Sequence, residues 1–147
     1  MAIWRPRQDI RPVAIGLLDD DDRMLVAEVL NDDGAVKGWR PLGGGIEFGE
    51  SAEAALRREF REELGAEIEV EGPPIIFENL YDHAGYIGHE IIFAFHIRIT
   101  DERVRAQRRF RIHDNDTVVW VEWIAKARFK ADEILLPTAL GPLLGKL

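Results

Sequence analysis

Residues 44–66, GGIEFGESAEAALRREFREELGA, join a glycine run to a helix crowded with glutamates. Gly43, Gly44 and Gly45 lead into Ile46-Glu47-Phe48-Gly49-Glu50, and a helical pattern begins at Ser51, whose hydroxyl suits an N-cap. From Ser51 to Leu64 there is neither Gly nor Pro, and Gly65 stands where a left-handed C-cap residue belongs. At about 100° per residue, Glu59, Glu62 and Glu63 share one arc beside an i, i+4, i+8 apolar stripe of Leu56, Phe60 and Leu64. One side of this helix packs, and the neighbouring side presents three carboxylates.

Like charges at i, i+3 and i+4 repel, and Arg57, Arg58 and Arg61 offset part of that repulsion. Alone, REFREEL reads as an ordinary solvated helix. The fixed relation to the glycines changes the reading. A hard cation such as Mg²⁺ takes oxygen ligands, commonly a carboxylate or two completed by water and substrate phosphates. Glycine lets a backbone carbonyl approach the same ion with no Cβ in the way. Glycine loop and acidic helix together make half of a metal site.

This stretch resembles the signature of the Nudix hydrolases: Gly, five residues, Glu, seven residues, Arg-Glu, an aliphatic, any residue, Glu-Glu, any residue, Gly and an aliphatic. Gly44, Glu50, Arg58, Glu59, Glu62, Glu63 and Gly65 meet it with every spacing intact, while Phe60 replaces the usual aliphatic and Ala66 closes the motif. Many members carry Pro directly before the double glycine, where this chain has Pro41-Leu42-Gly43. The resemblance covers roughly residues 10–145 and implies an α/β fold, an α/β/α sandwich with a mixed sheet between helices. It assigns Glu59, Glu62 and Glu63 to Mg²⁺ or Mn²⁺, with the carbonyl of Gly43 or Gly44 assisting. Glu59 is also the candidate general base, and Glu50 and Arg58 pair behind it. An acidic residue outside the motif often assists in the family; Glu90, Asp114, Asp116 and Glu122 are candidates.

Such a site suits hydrolysis of a phosphoanhydride, because metal neutralises phosphate oxygens and activates water, and the phosphate leaving group needs little acid catalysis. The expected substrate is a nucleoside diphosphate-linked compound, foremost a nucleoside triphosphate or oxidised nucleotide. The alternatives are a dinucleoside polyphosphate or nucleotide-sugar hydrolase, or a nucleotide-binding sensor without turnover. The complete carboxylate set argues against the sensor.

A chain of 147 residues, 46% hydrophobic, suits one domain over residues 1–147. A net charge of −8 gives no general attraction to nucleic acid or to anionic membrane, so an anionic substrate must be met by local Arg or by metal. The absence of cysteine excludes disulfides and thiolate chemistry. No apolar run approaches ~20 residues, and the opening residues do not read as a secretory signal, so a cytoplasmic location is expected. A homodimer is left open.

Residues 11–18 and 24–30 read as strands of a hairpin closed by Asp19-Asp20-Asp21-Asp22, a solvated tip. Residues 39–42 read as a short strand feeding the glycine loop. Further strands are expected over 67–70, 74–79, 90–100 and 118–124, and a second, apolar helix over 135–147, broken near Gly141-Pro142. Arg103, Arg105, Arg108, Arg109 and Arg111 read as a solvated loop or an oligomer contact. Arg40 is placed to meet a phosphate. Among Trp4, Trp39, Phe77, Tyr81, Tyr86 and Trp120, any of which could stack on a base, Tyr81 stands at a distance past the motif resembling that of diadenosine polyphosphate hydrolases of the family. His83, His89, His96 and His113 lack regular ligand spacing.

Overall fold

Val13-Ala14-Ile15-Gly16-Leu17-Leu18 is apolar without alternation, the pattern of a strand covered on both faces. The computed structural model describes residues 3–114 and 117–144 and places this run in β1 (Ile10–Asp20) at the middle of a mixed sheet. Strand β2 (Arg23–Leu30) pairs with β1 only at the hairpin tip, Asp19 with Met24 and Asp20 with Arg23. Beyond the tip the two strands part. Into the split run β3 (Val36–Pro41), antiparallel to β2, and β4 (Gly43–Gly45), antiparallel to β1, joined through Leu42. The Gly16 amide donates to the Leu42 carbonyl at 2.9 Å and closes this crossing.

The helix α1 (Ala52–Leu64) follows its sequence signals closely. Ser51 Oγ accepts from the Ala54 amide at 3.1 Å, and Gly65, at φ 63° and ψ 27°, donates to the Arg61 carbonyl at 3.0 Å. After it come β5 (Glu69–His83) and β6 (Tyr86–Arg98), then α2 (Glu102–Ala106), β7 (Arg109–Asp114), β8 (Thr117–Ala125), a 3₁₀ turn at Lys126–Lys130 and α3 (Leu140–Leu144). The main path of the sheet is β5-β6-β1-β2-β8-β7, with β6 parallel to β1 and the other pairings antiparallel.

Alternation along β1 divides the core. Ala14 and Leu18 face α1 with Leu56, Phe60, Phe95, Ile97 and Trp123. Val13, Ile15 and Leu17 face the opposite layer with Met24, Trp39, Ile124, Leu135 and Leu140. The sheet is thus covered on both faces, the sandwich expected from the sequence. Among the described residues, no helix is long and apolar enough to cross a membrane.

Four expectations need correction. The glycines are a strand rather than a loop, because a Cβ at Gly43 would strike the Ala14 carbonyl and its absence lets β4 lie against β1. The two strands expected over 67–70 and 74–79 are one strand, β5, with a register shift between Glu71 and Ile75. Residues 135–139 are not helical: Leu135 bridges Trp39, the Leu136 amide donates to the Trp39 carbonyl at 2.7 Å, and only Leu140–Leu144 forms a helix. Residues 145–147 lie outside the described residues. The basic run is solvated as expected but is not one loop: Arg103 and Arg105 lie on α2, Arg109 and Arg111 on β7 and Arg108 between them, with Val104 and Ile112 in the core.

Phe60 reaches the sheet over Gly16, where an added Cβ would sit 2.6 Å from Ile97 Cδ1 and 3.0 Å from Phe60 Cε1. Gly16→Ala is therefore expected to destabilise the fold by about 1–3 kcal/mol through overpacking. In an Ile97→Val background, which removes that Cδ1, the cost should shrink. Chemical denaturation of the double-mutant cycle measures this, and strict additivity would contradict the contact.

Candidate active site

Helix α1 is anchored by Leu56 and Phe60, which turns its next face toward the glycine strand. The Glu59 carboxylate occupies the space where Gly44 has no side chain: a Cβ there would lie 2.5 Å from Oε1. Arg58 ties the same two elements together. Its Nη2 donates to Glu50 Oε1 at 2.6 Å and to the Gly45 carbonyl at 3.0 Å, and its Nε donates to Glu50 Oε2 at 3.1 Å. Its Nη1 donates to Glu59 Oε1 at 2.9 Å. Glu50 also accepts from the Glu47 amide at 2.9 Å. Arg58 and the Glu47 amide hold the Glu50 carboxyl below the usual carboxylate range, and Glu50 in turn raises the guanidinium pKa of Arg58.

One helical turn on, the Glu63 carboxyl is half-buried beside Glu59. Burial foremost, then a hydrogen bond to Glu59 and the charges of Glu59 and Asp114, push it from the ordinary 4.5 up to about 9, with Arg40 pulling the other way. Glu59 and Glu63 therefore form a close acid pair, in which burial and the neighbouring charge favour the protonated form of Glu63. Glu62 stands apart. Its side chain is 59% exposed against 16% for Glu59, and it faces Arg58 Nη1 at 3.5 Å. Among the described residues no three carboxylate or imidazole side chains converge on one point.

A carboxylate against a glycine strand, with a second carboxylate one turn on and an adjacent Arg58–Glu50 bridge, is the spatial form of the motif in residues 44–66. Residues 9–139 match the model of the NUDIX domain. The chain belongs to the Nudix family. It is 32% identical over 115 residues, 76% of this chain and 82% of the relative, to the nucleoside triphosphatase NudI of Escherichia coli O17:K52:H18. To the NudI of E. coli O139:H28 it is 42% identical over 59 residues, an alignment spanning 42% of that relative's length and 40% of this chain. Among solved structures, a Nudix hydrolase from Nitrosomonas europaea shares the fold at TM-score 0.67 and 19% identity, covering 94% of this chain and 87% of its own. The E. coli ORF135 protein does so at TM-score 0.55 and 24% identity, covering 92% and 86%.

Around the Nudix motif, the other sequence candidates fall into two groups. Arg40, near the end of β3, acts through its charge on Glu63 and also on Tyr81 of β5. Burial, then the charge of Glu90, raises the Tyr81 phenol, and Arg40 and Arg11 oppose them. Glu90 accepts from Asn79 Nδ2 at 3.0 Å, and Asp114 reaches Glu63 through its charge. Glu122 is engaged elsewhere, 3.5 Å from Arg109 Nε, and Asp116 lies outside the described residues. Several aromatics are otherwise committed. Trp39 is core and donates to Glu133 at 2.9 Å, Arg109 covers Trp120 at 3.9 Å, and Arg5 covers Tyr86 at 4.6 Å. Sequence reading passed over Arg11, whose guanidinium lies against Gly45. The only sequence signal for it is a cation placed beside the apolar run of β1.

The raised carboxyl of Glu63 fixes a sign for stability. The folded state holds this proton more tightly than the unfolded chain does, so the metal-free fold loses stability as pH rises from about 4.5 toward 9. Glu63→Gln removes that penalty. In chelator, the variant is expected to melt higher than the wild type at pH 8, with the gap closing toward pH 5. Thermal denaturation at both pH values checks this, and a gap that does not change with pH would contradict it.

Proposed function

We propose that this Nudix protein is a divalent-metal-dependent pyrophosphohydrolase that cleaves a phosphoanhydride bond in a nucleoside diphosphate-linked compound, foremost a nucleoside triphosphate. The observation that carries the reading is Glu59 pressed against Gly44 and held by the Arg58–Glu50 clamp, with Glu63 beside it. The nucleoside triphosphatase relatives support the choice of substrate.

The donor set fits a hard cation. Two crowded, half-buried carboxylates, one of them raised in pKa by burial and its neighbour, are the oxygen donors that Mg²⁺ or Mn²⁺ prefers, and Gly44 leaves a backbone without a side chain beside Glu59. Glu59 and Glu63 would hold the metal with a main-chain carbonyl of Gly43 or Gly44, and Glu62 would join by turning from Arg58. Bound there, the cation neutralises phosphate oxygens and lowers the pKa of a water.

The remaining work belongs to the chain. Arg58 occupies Glu59 Oε1 and fixes the carboxylate plane, which leaves Oε2 to accept a proton from the attacking water. Glu50 is spent on Arg58 and the Glu47 amide, so it orients rather than reacts. Arg40 and Tyr81 face the approaching substrate from β3 and β5. The phosphate leaving group departs as a weak base without a dedicated acid. A small nucleotide as the partner and a cytoplasmic setting belong to the same reading.

Product release across a panel of nucleoside triphosphates, oxidised nucleotides, dinucleoside polyphosphates and nucleotide sugars with Mg²⁺ or Mn²⁺ tests it. Glu59→Gln and Glu63→Gln are each expected to lower turnover by roughly a hundred- to ten-thousand-fold while the fold persists. Near-normal turnover in both variants, or no cleavage of any compound by the wild type, would overturn the reading.

A further inference from the structure

A cavity of about 250 Å³ opens between residues 4–9, Arg11 and the wall formed by β5 and β6. Its lining includes Arg5, Arg7 and Arg11 against two carboxylates, Asp9 and Glu90. In a chain of net charge −8, this is a local excess of cation. The three arginines are not equivalent. Arg5 donates to both oxygens of Asp32 at 3.0 Å, and Arg7 pairs with Asp9 at 2.8 Å. Arg11 is half-buried and, among the described residues, has no carboxylate within 4 Å. Its guanidinium lies along Gly45, where an added Cβ would sit 2.9 Å from Nη2. Gly45 directly follows the glycine that accommodates Glu59.

Arg40, on β3, is a second such guanidinium. It too is half-buried and has no carboxylate within 4 Å among the described residues, and its charge reaches both Glu63 and Tyr81. Two guanidiniums without carboxylate partners thus stand between the acid pair and the cavity, Arg11 lining the cavity and lying along Gly45, and Arg40 acting through its charge on Glu63 and on Tyr81 of the cavity wall. A half-buried guanidinium without a carboxylate is unusual unless an anion completes it, and its planar fork matches phosphate.

The roof of the cavity is fixed in place. The Arg5–Asp32 bridge ties it to the turn after β2, Trp4 meets the His83 ring edge-on at 5.1 Å, and Arg5 lies over Tyr86. The volume is below the roughly 300–1,000 Å³ of a pocket for a whole drug-sized ligand, so it suits one part of a nucleotide.

Building on the hydrolase reading above, we propose that Arg11 is a phosphate-binding residue of this site: with Arg40 it grips the phosphate chain beside Glu59 and Glu63 and directs the nucleoside into the cavity under residues 4–9. The ligand class is a nucleoside di- or triphosphate entering with its phosphates toward α1.

The test uses the full chain and the triphosphate that the wild type cleaves fastest. Arg11→Gln is expected to raise KM by about ten-fold or more, as loss of a charge-assisted phosphate contact does, with the loss falling mainly on KM. Arg11→Lys should recover part of it, and the thermal midpoints of both variants should stay near the wild type. By calorimetric titration, the affinity for ADP should fall alongside. An unchanged KM and ADP affinity in Arg11→Gln, or a loss borne wholly by kcat, would overturn the proposal while leaving the hydrolase reading intact. If the wild type cleaves no nucleotide, the hydrolase reading fails instead, and the ADP titration still decides Arg11.

Discussion

The site depends on the distance between helix α1 and the glycine strand β4. A carboxylate cannot rest on a strand that carries side chains, because the first atom it meets is a Cβ; at Gly44 that atom is missing and Glu59 takes its place. The same approach brings the Gly45 carbonyl within reach of Arg58, which bonds it while gripping Glu50 and Glu59. Phe60 sets the approach from below, seated over Gly16. Two glycines on neighbouring strands, one beneath the helix core and one beneath its acidic face, therefore decide how closely the helix approaches. Charge and chemistry follow from that depth.

Depth has an electrostatic cost that the fold bears asymmetrically. Glu50 and Arg58 satisfy one another and stabilise the helix start, so their burial is compensated. Glu59 and Glu63 are not compensated to the same degree. Arg58 serves only the first, and Glu63 responds to burial and a like charge by keeping its proton. A structural ion-pair network would place a cation beside Glu63. The chain instead spends Arg58 on Glu50 and Glu59, and Arg40 acts on Glu63 through its charge without an ion pair within 4 Å among the described residues. That distribution fits a site completed by ligands better than one optimised for stability.

The parts legible in the sequence are the local ones. Ser51 and Gly65 marked the ends of α1 because capping chemistry operates within a turn, and the 3.6-residue period placed Leu56 and Phe60 in the core. The glycines were misread as a loop because what makes them a strand is β1, some thirty positions earlier, and a triple glycine carries no strand signal of its own. The β5–β6 hairpin was missed although Ala84-Gly85 forms its turn; Ala at φ 53° is an uncommon choice there and masks the signal. Residues 135–139 looked helical by their apolar content, but docking beside Trp39 overrode periodicity. In the site, the glutamates of the motif were readable from spacing. That Glu62 turns to Arg58 while Glu63 joins Glu59 depends on burial, which spacing does not encode.

The contrast between the two halves of the site has a structural cause. Glu50, Arg58, Glu59, Glu62 and Glu63 lie on one helix and its lead-in, so one short stretch carries the reaction side. The substrate side proposed above would be assembled from β1, β3, β5, β6 and residues 4–9, which are brought together by the parallel register of β1 on β6, where Arg11 pairs with Glu90, and by the hairpin register that sets Tyr81 opposite Gly88. A one-residue slip in either register would send these side chains to the other face of the sheet while leaving α1 untouched. On the proposed reading, reaction chemistry and substrate choice would rest on separable constraints, the first on helix geometry and the second on strand pairing. A fold built this way can vary its wall of arginines and aromatics without disturbing the acid pair it serves.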